Sequence, residues 1–199
     1  MMFYNAQKNE CPLQIDPFKA LVGPRPIGWI SSLAADGTAN LAPYSFFNAV
    51  ADDPPMVMFS TVGRKDSISN IEETGEFVCN LATWDLLDGM NVSSAGVGSE
   101  VDEFDLAGLE KASSTMVKPP RVAATPVALE CRYVQTVALH DVDGAEMNNL
   151  MVIGQVVGVY IDDALIVNDR VQIAKAKPIA RHGYMDYSVV TELFRLERP

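Results

Sequence analysis

Arg64 and Lys65 stand side by side in a chain that is otherwise strongly acidic, with Ser60, Thr61 and Ser67 close by. The stretch that follows, "DSISNIEETG", reads as a short helix. Ile68 and Ile71 lie three apart, Asp66 or Ser67 can cap the start, and Gly75 can end it. A helix start exposes unpaired N–H groups and carries a partial positive charge. Adjacent cations and hydroxyls at that point make a site suited to a phosphate. The same residues read equally well as a solvated basic pair on an exposed loop, with Asp66 as an ordinary cap.

The stretch "NLAPYSFFNAV", residues 40–50, raises the second chemical question. It has the apolar content of a strand, yet Pro43 breaks it and Asn40, Ser45 and Asn48 interrupt it. Buried amides and hydroxyls without partners cost free energy, so these groups must be satisfying something. If the stretch pairs with the strand "PPMVMFS", then Ser45, Asn48 and the backbone around Phe46 and Phe47 lie near the anion site. A planar heterocycle with carbonyl and ring-nitrogen acceptors could use those groups and stack on an aromatic ring. The alternative is that Phe46 and Phe47 belong to the core and Asn48 satisfies a turn.

The elements that must position these residues are mostly strands. "IGWISSL" (27–33) leads into a hairpin signalled by Asp36-Gly37. "PPMVMFS" (54–60) and "EFVCNLA" (76–82) read as short buried strands. "WDLLDGMNVSS" looks helical, with Trp84, Leu87 and Met90 on one side, and the 84–125 region reads as a helical and loop insertion over a sheet. In "VALECRYVQTV", Leu129, Cys131 and Tyr133 alternate with Glu130 and Arg132, as in a half-exposed strand. Asp143-Gly144 marks another hairpin, and "NLMVIGQVVGVYID" a long strand with Gly154 and Gly158 as bulge sites. Strand–helix alternation is absent, so a closed or nearly closed antiparallel barrel with a few peripheral helices fits better than a doubly wound sheet.

Composition removes several function classes. The 199 residues make one domain, 1–199, with a formal net charge of −11, which disfavours nucleic-acid backbones and anionic membranes as partners. No run approaches the ~20 apolar residues of a membrane span. The opening "MMFYNAQKNE" lacks a basic region followed by an apolar run, so no signal peptide and a cytoplasmic location are expected. Three widely spaced cysteines, none in a CxxC pair, and two histidines give no expectation of a disulfide framework or a metal centre. GxGxxG, P-loop, GxSxG and HExxH patterns are missing, and "GVGSEV" (96–101) lacks the third glycine of a dinucleotide loop.

The succession "RPIGWISSL-AADGTANLAPYSFFNAVADDPPMVMFS", then "RKDSISNIEETGEFVCNL", resembles the flavin reductase-like FMN-binding split-barrel family, which includes flavoredoxin. The similarity is dense from Arg25 to Leu81 and continues more loosely through "SEVDEFDLAGL", "PPRVAATPVALEC" and "IARHGY". The resemblance implies a mainly β fold, a six-stranded Greek-key split barrel with a few peripheral helices. It also implies non-covalent FMN in a homodimer, with the flavin near the subunit interface. The FMN-contacting segments then fall on Trp29, Ile30, Ser31 and Ser32, on Ser45, Phe46, Phe47 and Asn48, and on Ser60, Arg64, Lys65, Asp66 and Ser67. The phosphate would sit against Arg64, Lys65 and the helix start. His182 and Tyr184 in "ARHGY" are weaker matches for contact with flavin or nicotinamide, and a structural role suits His182 as well. Asn91 to Ser94 is a candidate for the ribityl chain.

In the reductase reading NAD(P)H is the co-substrate and hydride passes to flavin N5, after which reduced flavin leaves or hands electrons to an electron-transfer or oxygenase partner. The alternatives are a flavoredoxin-type electron carrier reduced by a partner protein, and a non-catalytic small-molecule binder, whose pocket could hold a ligand such as haem instead. NAD(P)H-driven bleaching of a bound flavin separates the first two.

Overall fold

The computed structural model of the chain describes residues 1–198 and is mainly β. In chain order the first strands are β1 (Arg25–Pro26), β2 (Gly28–Leu33), β3 (Ala39–Tyr44), β4 (Phe47–Asp52), β5 (Pro55–Val62) and β6 (Glu76–Leu81). They are followed by β7 (Lys111–Ala112), β8 (Arg121–Val122), β9 (Val127–His140), β10 (Glu146–Ile161), β11 (Ile166–Val167), β12 (Arg170–Val171), β13 (Ile179–Arg181) and β14 (Tyr187–Val189). The helices are short: α1 (Phe18–Leu21), α2 (Asp66–Thr74), α3 (Leu87–Val92) and α4 (Glu103–Leu106). None of them is long and apolar enough to cross a membrane.

Seven strands form one antiparallel sheet in the order β3–β2–β6–β9–β10–β5–β4. Its two edge strands, β3 and β4, are consecutive in the chain and separated only by Ser45 and Phe46, yet they do not pair with each other. The sheet therefore curls into a barrel that stays open along one seam, a Greek-key split barrel. The Tyr44 and Phe59 rings pack across that seam with centroids 4.7 Å apart. The main sheet has seven strands rather than six, because residues 39–52 bend at Ser45–Phe46 and supply both β3 and β4. A smaller sheet, β1–β13–β14, brings the C-terminal "ARHGY" segment against the start of β2.

The Asp36-Gly37 hairpin forms as its residues require. Gly37 takes φ +92°, and Asp36 accepts a hydrogen bond from the Thr38 N–H at 2.9 Å. The β9–β10 pairing slips between Ile153 and Gly154 and again between Val156 and Gly158, so both glycines sit at bulges. At Gly154 the reason is close approach: a Cβ there would run into the Phe77 ring.

Both faces of β2 are covered, so Gly28 to Ser32 are all buried, the hydrogen-bonded serines included. Ile30 packs with Phe59, Phe77 and with Ile68 and Ile71 of α2. On the opposite face Trp29 packs with Leu41, Met90, Phe104 and Val122. Those last three come from the 84–125 region, so this region buries core on the outer side of the barrel. Trp84, expected on the same side as Met90, is 54% exposed. It belongs to a 3-10 turn (Trp84–Leu86) that precedes α3 and shifts the helical phase. Glu130, expected on the open side of β9, is 4% exposed, since its carboxylate accepts the N–H groups of Thr115 (2.9 Å) and Met116 (2.5 Å).

Candidate functional site

Helix α2 is held by burial of Ile68 and Ile71 and ended by Gly75 at φ +77°. That fixes where its N-terminus points. Lys65, in extended conformation, occupies the cap position, and no side chain caps the helix. The Ile68 and Ser69 amides donate to the Lys65 carbonyl, which leaves the amides of Asp66 and Ser67 without a partner among the described residues. They open onto a cavity of about 250 Å³. Its walls are Asn40, Pro43 and Tyr44 from β3, Lys65, Asp66 and Ser67 from the start of α2, the loop Ser93–Val97, and Glu103 of α4.

Ser67 does not cap the helix because its hydroxyl is used elsewhere. Tyr44 Oη donates to Ser67 Oγ at 3.0 Å, and Ser67 Oγ donates to Asn40 Oδ1 at 2.6 Å. Asn40 Nδ2 then donates to Glu103 Oε1 at 2.9 Å, while the Leu41 N–H donates to Glu103 Oε2 at 2.9 Å. This chain ties together three elements, β3, α2 and α4, and fixes one wall of the cavity. Burial pushes the Glu103 carboxyl above the usual carboxylate range, against the pull of the hydrogen bonds it accepts, with Asp102 adding repulsion. Burial likewise raises the Tyr44 hydroxyl to about 12, opposed by its bond to Ser67 and assisted by the charges of Asp66 and Glu103.

The electrostatics of the cavity are mixed. Lys65 is exposed and forms no ion pair among the described residues. Asp66 shares the same wall, so an anion there relies on Lys65 and the α2 amides to outweigh it. A second groove, of about 170 Å³, shares Pro43 and Ser94 with the cavity. It continues past Ser45, Asn91, Arg181 and Tyr187. The two form one path from the start of α2 to the Ser45–Phe46 turn, within the range of small-molecule sites.

The structure gathers some of the residues singled out in the sequence and separates others. Lys65, Asp66 and Ser67 line the cavity, and Ser45 lines the groove. Arg64 turns away and pairs with Glu72 along α2. Trp29, Ile30, Ser31 and Ser32 lie behind the walls. Trp29 Nε1 donates to Ser93 Oγ at 2.9 Å and so anchors the cavity loop, while Ile30 is core. Ser31 Oγ donates to the Pro120 carbonyl at 2.6 Å, and Ser32 Oγ accepts from Asn70 at 3.3 Å. Phe46 is exposed at the turn, and its carbonyl accepts the Ser60 N–H at 2.8 Å. Phe47 leans over Gly28, where any Cβ would overlap its ring. Asn48 is exposed and accepts only the Ala49 N–H. His182 bonds Ser188 Oγ at 2.8 Å and its carbonyl receives Arg25, a structural set of contacts.

Sequence reasoning missed Tyr44, Glu103, Arg181 and the part of the cavity loop formed by Ala95–Val97. Asn40 and Tyr44 were visible as a same-face pair on one strand (i, i+4). Glu103 carried no local signal, because only the fold brings α4 against β3. Among the described residues no cluster of His, Cys, Asp and Glu could hold a metal ion.

Comparison with known proteins agrees with this architecture. Residues 23–173 match the flavin reductase like domain, and the chain belongs to the flavin reductase-like family. An uncharacterized protein of Aquifex aeolicus is 36% identical over 169 residues, covering 82% of this chain and 83% of its own. Nitrilotriacetate monooxygenase component B from Bacillus cereus superposes with a TM-score of 0.87 at 30% identity, covering 98% of each chain. The Pseudomonas fluorescens 2-nitrobenzoate 2-nitroreductase NbaA gives a TM-score of 0.81 at 30% identity, covering 99% of this chain and 93% of that one.

Proposed function

We propose that this chain is an FMN-binding oxidoreductase that takes reducing equivalents from NAD(P)H. The observation that carries the reading is the single path from the uncapped start of α2, with Lys65 beside it, to the Ser45–Phe46 turn. Its parts fit the parts of FMN. A phosphate suits the α2 amides and Lys65. A polyol suits the hydroxyl and amide wall of Asn40 and the Ser93–Ser94 loop. A flat ring suits the open groove beside Ser45, Ile27 and Tyr187. Bound non-covalently there, FMN supplies the redox chemistry, accepting a hydride and passing electrons on.

The protein's own residues then position and hold. The Tyr44–Ser67–Asn40–Glu103 chain consumes the Ser67 donor, which leaves Lys65 and the helix amides as the groups that grip the phosphate. Ser93, bonded to Trp29, keeps the loop against the polyol. The similarity to a monooxygenase component and to a nitroreductase favours an enzyme over a simple binder, with an oxygenase as one kind of electron-accepting partner. A homodimer is part of the same reading, because Phe46, Val50 and Val62 are exposed on the open edge of the barrel. Anaerobic addition of NADH to the flavin-loaded protein tests the activity. Rapid bleaching of the flavin band supports the reductase, and a band that persists until dithionite is added refutes it.

A further inference from the structure

We propose that Arg181, backed by Arg25, forms a recognition point for the oxyanion of a second ligand: a small molecule that presents a carboxylate or a phosphate in the groove beside Ser45. The proposal rests on the flavin reading only for the identity of the first ligand.

Arg25 and Arg181 face each other in the β1–β13 pairing. Neither forms an ion pair among the described residues, whereas Arg64, Lys111 and Lys177 all do. Two adjacent guanidinium groups without a carboxylate are costly in a protein, and more so when one is buried. Arg25 is 7% exposed. Its Nη1 donates to the carbonyls of Lys19 and Val22 and its Nη2 to that of His182, but its buried Nε has no partner among the described residues. Burial, reinforced by the charge of Arg181, lowers its pKa. Arg25 is thus fixed by backbone carbonyls, and neither arginine has a carboxylate partner among the described residues.

Arg181 is the member that reaches the groove. Its guanidinium stacks on Tyr187, 4.4 Å from the ring centroid, and gives one strong hydrogen bond, from Nη2 to the Tyr184 carbonyl at 2.8 Å. The rest of its donor fork remains for a ligand, and a guanidinium held over an aromatic ring is preorganised for an oxyanion. Arg25 lies 5.6 Å from the Phe46 ring centroid, so the positive pair borders the turn where the flavin ring is placed. This point lies beyond Pro43 and Ser94 from Lys65, which separates it from the phosphate end of the cavity. With the flavin ring in this groove of about 170 Å³, the second ligand reaches Arg181 with one charged group laid beside the ring. In a chain of net charge −11, an anionic substrate also needs such a local positive point to enter.

The test is a pair of calorimetric titrations of the FMN-loaded protein at fixed ionic strength. Benzoate against benzamide probes the carboxylate source, and 2′,5′-ADP against adenosine probes the phosphate source. The expected result is that at least one anion binds about tenfold or more tightly than its neutral counterpart, as a charge-assisted contact implies. Arg181→Gln should bring that ratio close to one, and Arg181→Lys should keep part of it. Equal binding of both anions and their neutral counterparts, or a ratio unchanged in Arg181→Gln, overturns the proposal. Should the protein take up no FMN, the flavin reading fails, and the same ratios measured on the FMN-free protein still decide the role of Arg181.

Discussion

Tyr44 and Lys65 face the same cavity, and physical chemistry gives them different tests. Burial raises the Tyr44 hydroxyl to about 12, above the ordinary tyrosine value near ~10. The folded state therefore holds this proton more tightly than the unfolded chain. The associated stability is fully present below about pH 10 and is lost as pH rises towards 12. Tyr44→Phe should flatten that alkaline decline in denaturant midpoints. It should also cost about 1 kcal/mol at neutral pH, through the lost bond to Ser67. Lys65 is judged by ligand affinity. Lys65→Ala should weaken FMN roughly tenfold or more while changing riboflavin far less, since only FMN carries a phosphate. Arg64→Ala should change FMN affinity little, because Arg64 is paired with Glu72. Fluorescence titration of the two variants with both flavins checks the pair, and the reverse order would move the anion site to Arg64.

Among the elements, α2 matters most, because its N-terminus sets the direction of the site. Gly75 ends it at φ +77°, with open space where a Cβ would be. Gly75→Ala should therefore cost only backbone strain, about 1 kcal/mol, and lower Tm by about 2–4 °C. A larger drop would mean that the turn after α2 is packed more tightly than the structure indicates. This helix was readable from sequence, because its isoleucine spacing and terminal glycine are local signals. The same holds for the Asp36-Gly37 hairpin and for the bulges at Gly154 and Gly158. What stayed hidden depends on partners distant in the chain. Glu130 looked exposed because its partners, Thr115 and Met116, lie on a loop. Glu103 carried no signal of its own, and Asn40 joined it to the cavity only once α4 had packed on β3. Arg64 and Lys65 are equivalent in sequence, and only the path of α2 sends one to Glu72 and the other to the cavity.

At the scale of the whole molecule, the barrel is split where β3 and β4 diverge, and the seam bears on the site. The groove begins at that seam, where Ser45 sits, and Phe46, Val50 and Val62 stand exposed beside it. A second copy covering this edge would bury them and enclose the groove. Light scattering should then give about twice the 21.6 kDa chain mass, and a monomer that binds FMN at full strength would remove the interface from the account. The net charge of −11 makes anion binding depend on local groups, which gives the start of α2 and the Arg25–Arg181 pair their importance.

The central claim is that the uncapped start of α2 and the path leading from it hold FMN by its phosphate. The measurement that tests it most directly is the affinity of the purified protein for FMN and for riboflavin, read by quenching of flavin fluorescence. The account predicts saturable FMN binding, with riboflavin weaker by roughly tenfold or more. Equal affinity for the two flavins, or no uptake of either, would contradict it.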